Sequence, residues 1–175
     1  MKKNDVLKSV KVISLNPKSQ EKEETLRVFI DELSKSLNIS IDDFEIDYTW
    51  CNYHVVHNKK PFHGSDLRLL SRYSNEKFKI QFTPVSSNTV ELQWIEVFDN
   101  GNGLGSDLMN EILDVSDKTG INIKVLPVDF KCNEFGGYLN RLREWYRSFG
   151  FTSKIYNKTP YLHYYSQKVE LKMVS

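Results

Sequence analysis

Two spacings of apolar residues divide this chain into segments of different kinds. Apolar residues at every second position, the spacing of a strand with one buried face, occur in 77–84 and 89–97. Apolar residues three or four apart, the spacing of an amphipathic helix, occur in 104–113 and 139–149. The chain therefore mixes strands with helices. The predicted strands are Val6–Leu15, Lys77–Pro84, Thr89–Val97, Ile121–Val128, Thr152–Tyr156 and Lys168–Val174.

Four helices are predicted between these strands. The first begins at Ser19, a residue that caps helix N-termini well, and its apolar stripe continues to Leu37. A short helix is predicted over Leu67–Tyr73. The third ends at Gly120, because glycine commonly terminates a helix, and the fourth spans Tyr138–Phe149.

The segment Ile41–His63 is the least regular part of the chain. Its aromatic and β-branched residues favour a strand, but three histidines interrupt the pattern. His54 and His57 have the i,i+3 spacing of a helical metal site, yet their neighbours favour a strand and no carboxylate completes a ligand set. An aromatic surface or a packed insertion is the more common outcome. Thr159–Tyr165 receives no assignment and lies between two predicted tail strands.

The order of elements from Val90 to Val128 is strand, turn, helix and strand. Such a βαβ unit places its two strands side by side and parallel, so 90–97 should pair with 121–128. The residues 86–88 form a turn that joins the two preceding strands as an antiparallel hairpin. A mixed sheet with one parallel pair is therefore expected.

The turn between the strand and the helix of this unit is rich in glycine. Gly101, Gly103 and Gly105 alternate with other residues, which leaves the backbone N–H groups of 101–106 without side-chain cover. The dipole of the following helix adds roughly half a positive charge at the same place. A strand, a glycine turn and a helix N-terminus together form an anion site that suits a pyrophosphate.

Two common phosphate-binding motifs do not fit this turn. A P-loop needs Lys followed by Ser or Thr after its second glycine, but Ser106-Asp107 stands there. A dinucleotide fingerprint counted from Gly103 needs a third glycine where Leu108 stands. A plain turn at 99–101 remains an alternative, because Asp, Asn and Gly favour left-handed backbone.

The remaining pattern, Asn100-x-x-Gly103-x-Gly105, resembles the coenzyme A signature (Gln/Arg)-x-x-Gly-x-(Gly/Ala) of the GCN5-related N-acetyltransferase (GNAT) superfamily. The helix opens with GLGSDLMN, and GxGxxLMN follows the strand in a similar way in the histone-acetyltransferase branch. A second motif, Tyr146-x-x-x-Gly150-Phe151, looks like the Tyr-x-x-x-Gly-Phe that ends a helix in the family. Asn100 departs from the signature, because it is shorter than Gln or Arg and carries no charge.

The resemblance implies a fold and a coenzyme. The fold is mixed α/β, with a central mostly antiparallel sheet, one splayed parallel strand pair and helices on both faces. In the family the pantetheine arm of acetyl-CoA lies in the splay, and the variable segment before the central hairpin shapes the acceptor pocket, so 41–63 would face the substrate. The residues implied to bind the coenzyme, mostly through their backbone, are Val97, Asn100, Gly101, Asn102, Gly103, Leu104, Gly105 and Ser106.

The implied reaction transfers the acetyl group of acetyl-CoA to an amine. An amine of pKa ~10.4 must lose a proton at neutral pH, and a carboxylate can accept that proton. Glu91 is the candidate base by resemblance, because its spacing to Val97 matches that of the strand glutamate in the histone-acetyltransferase branch. Glu96 competes, and alternation puts the two glutamates on opposite faces unless a bulge intervenes.

Two further roles complete the implied reaction. The backbone N–H of Val97 or its neighbour would stabilise the oxyanion. By resemblance, Tyr146 would protonate the coenzyme A thiolate, and a place in the core is its alternative, because inward aromatic side chains usually pack there.

Composition restricts the partners without naming the acceptor. With 24 basic and 23 acidic residues the net charge is +1, so no nucleic-acid partner is indicated. Cys51 and Cys132 have no metal-ligand spacing and are too few for a disulfide framework, so we expect no metal and a cytoplasmic protein. No apolar run or signal core predicts a membrane segment.

The 175 residues are interpreted as one N-acetyltransferase domain, 1–175. Its acceptor amine could belong to a small molecule, a peptide or a protein, and the oligomeric state, monomer or homodimer, is open. One alternative function is a non-catalytic module on the same fold that binds an acyl-CoA or another protein. A weaker alternative is an enzyme that depends on ATP or NAD.

Overall fold

The computed structural model describes residues 17–57, 60–99, 101–127, 137–156 and 159–167. Several predictions lie outside these residues: the strands Val6–Leu15 and Lys168–Val174, the end of the strand Ile121–Val128, Asn100 and Cys132. The side chains of His54, His57 and His63 are also outside the description, so the expectation that they form no metal site stays a prediction.

The described residues contain both helices and strands. The helical elements within the described residues are α1 Pro17–Ser36, a 3-10 turn Ile41–Asp43, α2 Leu104–Thr119 and α3 Gly137–Ser148. The strands within them are β1 Glu45–His57, β2 Lys60–Ser74, β3 Phe78–Ser86, β4 Thr89–Val97, β5 Asn122–Val125, β6 Thr152–Tyr156 and β7 Thr159–Tyr164. The bounds of β4 and β6 are those predicted from the sequence.

The strands form one sheet in the order β1-β2-β3-β4-β5-β7-β6. Neighbouring strands run antiparallel except β4 and β5, which run parallel and are joined through α2. This confirms the predicted βαβ unit and the predicted mixed α/β fold class, with its mostly antiparallel sheet and single parallel pair.

The helix predicted over Leu67–Tyr73 is wrong, because these residues belong to β2. This strand lies between β1 and β3 and pairs with both, so its backbone groups are satisfied by the sheet. Leu69, Ser71 and Tyr73 are buried on one face, and on the other face Leu70 is buried between the partly exposed Arg68 and Arg72. Leu70 therefore interrupts the alternation of apolar and polar residues, and the adjacent leucines imitate a helix.

The segment left unassigned by the sequence contains β7, which pairs with β5 on one side and β6 on the other. Its inward residue Leu162 is buried and lies opposite Val125 of β5. The strand is not predicted from the sequence because of the proline at position 160. Proline has no backbone N–H to donate to a neighbouring strand, so it usually argues against an inner strand.

Helices α1 and α2 lie side by side on one face of the sheet. Phe29 of α1 contacts Phe82 of β3, with ring centroids 5.2 Å apart. An ion pair between Lys118 and Glu32 links the two helices near the C-terminus of α2. The buried residues of α2 are Leu108, Met109, Ile112, Leu113, Val115 and Ser116. This packing fixes the N-terminus of α2 at the end of β4.

The predicted end of α2 is confirmed. Gly120 follows the helix in a left-handed conformation, with φ 78°, and donates its N–H to the carbonyl of Ser116. Among the described residues, no helix combines the length and the apolar character needed to cross a membrane.

Candidate functional site

The parallel pairing of β4 with β5 stops halfway along β4. Four residue pairs join the two strands, and the last pair is Leu92 with Val125. Beyond it β4 continues to Val97 and stays paired with β3, where Phe78 lies opposite Val97. Within the described residues, the second half of β4 therefore has a neighbouring strand on one side only.

A β-bulge separates the two halves of β4. Gln81 of β3 pairs with Trp94 and Phe82 pairs with Leu92, so Gln93 is an extra residue in β4. Simple alternation would place Glu91 and Glu96 on opposite faces. Because the bulge shifts the alternation by one, both glutamates lie on the same face of the sheet.

The bulge also determines which residues of β4 face α1 and α2. Ile95 and Val97 lie opposite the buried residues Ile80 and Phe78 of β3, so they share the face that these two residues occupy. Trp94 and the two glutamates point to the other face. The side chains of the two candidate bases therefore lie on the face of the sheet opposite to Ile95 and Val97.

A cleft of about 400 Å³ opens beside the second half of β4. We call it the β4–α3 cleft. Its lining residues are Ile95, Val97, Asp99, Gly101, Asn102, Gly103, Leu104, Gly105, Ser106, Arg141, Leu142 and Trp145. The structure therefore brings together every predicted coenzyme-binding residue except Asn100, which lies outside the described residues.

The wall formed by α3 was not predicted as part of the site. Arg141, Leu142 and Trp145 line it. From the sequence, Arg141 could contact phosphate or belong to a solvated helix face, and Trp145 was expected to face inward. The three-residue spacing of Leu142 and Trp145 shows that they share a helix face, but nothing local indicates that this face meets the glycine turn.

The glycines of the turn have a conformational role. Gly101 and Gly103 adopt φ values of 99° and 86°, which side chains rarely tolerate, and an added Cβ at either would meet nothing within 4 Å. Their outer side is therefore open. At Gly105, which has no such backbone constraint, an added Cβ would lie 3.6 Å from Cγ2 of Val97.

Part of the turn's hydrogen-bonding capacity is used within the protein. Leu104 donates its backbone N–H to Oδ1 of Asn102 at 3.1 Å, and Ser106 donates its N–H to the carbonyl of Gly103 at 2.8 Å. Asn102 in turn donates to Oδ2 of Asp99 at 3.1 Å. The expectation that the N–H groups of 101–106 lack side-chain cover is therefore wrong for Leu104, the N–H of Ser106 is used by the backbone, and the Asp99 carboxylate lies beside the turn.

The candidate base Glu91 has two partners on the face opposite the cleft. Its Oε2 lies 3.1 Å from Nζ of Lys124, and its Oε1 accepts a 2.7 Å hydrogen bond from Gln93. The Glu91 and Lys124 side chains are only 13% and 15% exposed. Nζ of Lys124 also lies 3.6 Å from the ring centroid of Tyr161. The competitor, Glu96, accepts a 3.1 Å hydrogen bond from Nε1 of Trp94.

His163 belongs to the same polar face, because it pairs with Lys124 across β5 and β7. Its burial and the nearby charges of Lys154 and Lys124 lower the pKa of His163, so the neutral imidazole is favoured near pH 7. No group of three His, Cys, Asp or Glu side chains suitable for a metal ion occurs in the described part of the chain.

The candidate acid Tyr146 lies in the core. Its side chain is 3% exposed, and its ring packs 5.0 Å from Trp145 and 5.4 Å from Phe151. Trp145, the residue before it, lines the cleft instead. The role of Tyr146 as a proton donor stays a prediction.

No model of a known protein family matches this chain, and no curated protein matches its sequence significantly. Among solved structures, the crystal structure of the anti-CRISPR protein AcrVA5 aligns with 54% of this chain and 97% of its own. The two sequences are 19% identical over that alignment, and the TM-score is 0.41. A TM-score this low does not show a shared fold.

Proposed function

We propose that this chain binds acetyl-CoA in the β4–α3 cleft and transfers its acetyl group to an amine. The observation that supports this best is the parting of β4 from β5 directly beside the glycine turn. One cleft thereby joins an apolar wall to backbone N–H groups at a helix N-terminus. A long thiol-bearing arm with a pyrophosphate at its far end suits a site of this composition.

Each wall of the cleft would bind a different part of the coenzyme. The turn and the N-terminus of α2 would bind the pyrophosphate, and Arg141 would add positive charge from α3. Ile95, Val97 and Trp145 would contact the arm. Asp99 would oppose binding, because its carboxylate lines the same cleft and repels an anion.

The acceptor amine would approach from the opposite face of β4, where Glu91 lies. Glu91 would accept a proton from the amine, whose nitrogen would then form a bond to the acetyl carbon. The backbone N–H of Val97 or its neighbour would stabilise the oxyanion, the bond from that carbon to sulfur would break, and Tyr146 would protonate the thiolate. Coenzyme and acceptor would meet where β4 and β5 part.

A non-catalytic acyl-CoA-binding module is the second candidate. Both carboxylate oxygens of Glu91 are engaged by Lys124 and Gln93, and the candidate acid Tyr146 is buried, which favours this candidate. Release of free thiol with a panel of amines separates the two functions. If the chain is an enzyme, Glu91→Gln and Tyr146→Phe should slow that release while leaving coenzyme binding intact.

Calorimetric titration with acetyl-CoA, with coenzyme A and ATP as controls, tests the shared first step. We expect both coenzymes to bind with a Kd of about 10 µM or tighter and ATP to produce no heat. Asp99→Asn should tighten acetyl-CoA binding and Arg141→Gln should weaken it, each by roughly fivefold, since each changes one charge near the phosphates. If neither coenzyme binds, the turn is only a turn and the proposed function is wrong.

A further inference from the structure

The ammonium group of Lys124 lies where an acceptor amine would have to lie. A general base acts on a proton within hydrogen-bond reach, about 2.6–3.2 Å between heavy atoms. Nζ of Lys124 is 3.1 Å from Oε2 of Glu91, the candidate base, and rests on the face of the Tyr161 ring. A carboxylate and an aromatic ring are groups that bind a primary ammonium well.

The same lysine is also close to the point where the strands part. Glu91 pairs with Lys124 one residue before the last parallel pair, Leu92 with Val125. One residue of a strand spans about 3.3 Å, so the backbone of Lys124 lies about one residue from the start of the gap. Lys124 is the lysine that β4 and β5 contain, so an acetyl thioester that entered the gap from the β4–α3 cleft would meet this amine there.

We propose that Lys124 is a modification site, acetylated by the chain itself from bound acetyl-CoA. This inference rests on the proposed function. Glu91 accepts a proton from Nζ of Lys124, the nitrogen bonds to the acetyl carbon, and the bond between that carbon and sulfur breaks. The nitrogen then loses its second proton to the thiolate, free coenzyme A leaves, and the product is one N-acetyl-lysine per chain.

Acetylation would change the site for the next amine. The amide of acetyl-lysine carries no charge, so the ion pair with Glu91 would be lost. Glu91 would then have one oxygen available for an external acceptor, while Gln93 still donates to the other. The first turnover would thus prepare the base for later ones.

Lys79 provides a matched control within the same sheet. It lies opposite Glu96 across β3 and β4, and its Nζ lies 5.4 Å from the centroid of the Trp94 ring. Lys79 therefore also combines a facing glutamate with an aromatic ring on the same face of the sheet. It differs in position, because it lies on the β3 side of β4, away from the gap between β4 and β5.

The test incubates the full chain with acetyl-CoA and locates acetyl groups by peptide mass spectrometry, beside calorimetric binding on the same preparation. We expect one acetyl group on Lys124, formed at a rate per molecule that does not change with protein concentration. Acetic anhydride, which reacts without a binding site, shows the order in which the lysines react when no coenzyme directs the reaction. It should modify the exposed Lys118 and Lys35 first, since their side chains are 68% and 58% exposed and that of Lys124 is 15% exposed.

Two variants separate directed acetylation from chance. Glu91→Gln should slow acetylation of Lys124 by about 100-fold, because general bases contribute factors of that size, and should leave Lys79 unaffected. Lys124→Arg keeps a positive charge beside Glu91 and should give no acetylated peptide at this position. Coenzyme binding without faster acetylation of Lys124 than of Lys79 would overturn this inference and leave the proposed binding intact. No coenzyme binding would overturn both.

Discussion

The two halves of β4 have similar sequences and different surroundings. Thr89–Leu92 lies between β3 and β5, and its inward residues Val90 and Leu92 are 0% and 2% exposed. Trp94–Val97 keeps β3 but has no described partner on the β5 side, and its inward residues are only half-buried. One half builds the core and the other lines the cleft.

The difference shows how a sheet can form one wall of a cleft without a loop insertion. A single extra residue, Gln93, marks the boundary and realigns the strand so that Ile95 and Val97 stay on the inward face. Within the described residues no strand pairs with this half on the β5 side, and its inward apolar side chains line the cleft. Stability and binding should therefore respond to different residues of the same strand.

The largest expected effect comes from shortening one inward residue in each half. Leu92→Ala should lower the free energy of unfolding by about 2–5 kcal/mol, the usual cost of a cavity in a packed core. Ile95→Ala should cost about 1 kcal/mol or less, because its side chain is already partly exposed at the cleft, but should weaken coenzyme binding. Urea denaturation and calorimetric titration measure the two quantities. Equal losses of stability would show that the halves of β4 do not differ as described.

A smaller substitution at the cleft should raise the stability of the protein and weaken acetyl-CoA binding. Gly105 is the second residue of α2 and has an ordinary backbone conformation, so Gly105→Ala should stabilise the protein by about 0.5–1 kcal/mol. The added methyl group would lie beside Val97 on the cleft wall and should weaken acetyl-CoA binding several-fold. Thermal unfolding and titration of the same variant check both signs. A more stable variant with unchanged affinity would place the coenzyme elsewhere.

Turn residues made much of this fold predictable. Gly103 and Gly120 delimit α2, and both adopt the left-handed conformation that glycine tolerates best. The residues Ser87 and Asn88 likewise separate β3 from β4. The sequence predicts a helix where β2 lies, because the buried Leu70 interrupts the alternation of apolar and polar residues by which a strand is recognised.

The candidate site was predictable only where it is local in sequence. The glycine turn carries its own signal, so its position between β4 and α2 is predictable from the local pattern. The bulge at Gln93 depends on the register with β3, and Arg141 and Trp145 depend on where α3 packs. The partners of Glu91 include Lys124, which is close only because β5 returns beside β4. Such contacts follow from tertiary structure and leave no mark in a local pattern.

The smallest expected effect is a pH dependence of the free energy of unfolding. It arises beside β5, the strand that pairs with the first half of β4. Tyr164 of β7 lies opposite Ile123 of β5 and donates a 2.9 Å hydrogen bond to Oδ2 of Asp117. Burial, and then the hydrogen bond and charge of Asp117, raise the pKa of Tyr164 to about 12. In the unfolded chain this hydroxyl titrates at about 10.

The sign follows from which state keeps the proton. Between about pH 10 and about pH 12 the unfolded chain loses the Tyr164 proton while the folded chain retains it, so stability falls as the pH rises. The contribution is complete below about pH 10 and should amount to about 0.5 kcal/mol after solvent screening. Tyr164→Phe should remove this part of the alkaline loss when urea midpoints are compared at about pH 9 and about pH 11.5. Tyr164 pairs with Ile123 of β5 and is not among the residues that line the cleft, so the variant should bind acetyl-CoA at about pH 9 as the unsubstituted chain does. A weaker affinity would mean that the region around β5 and β7 is energetically coupled to the cleft.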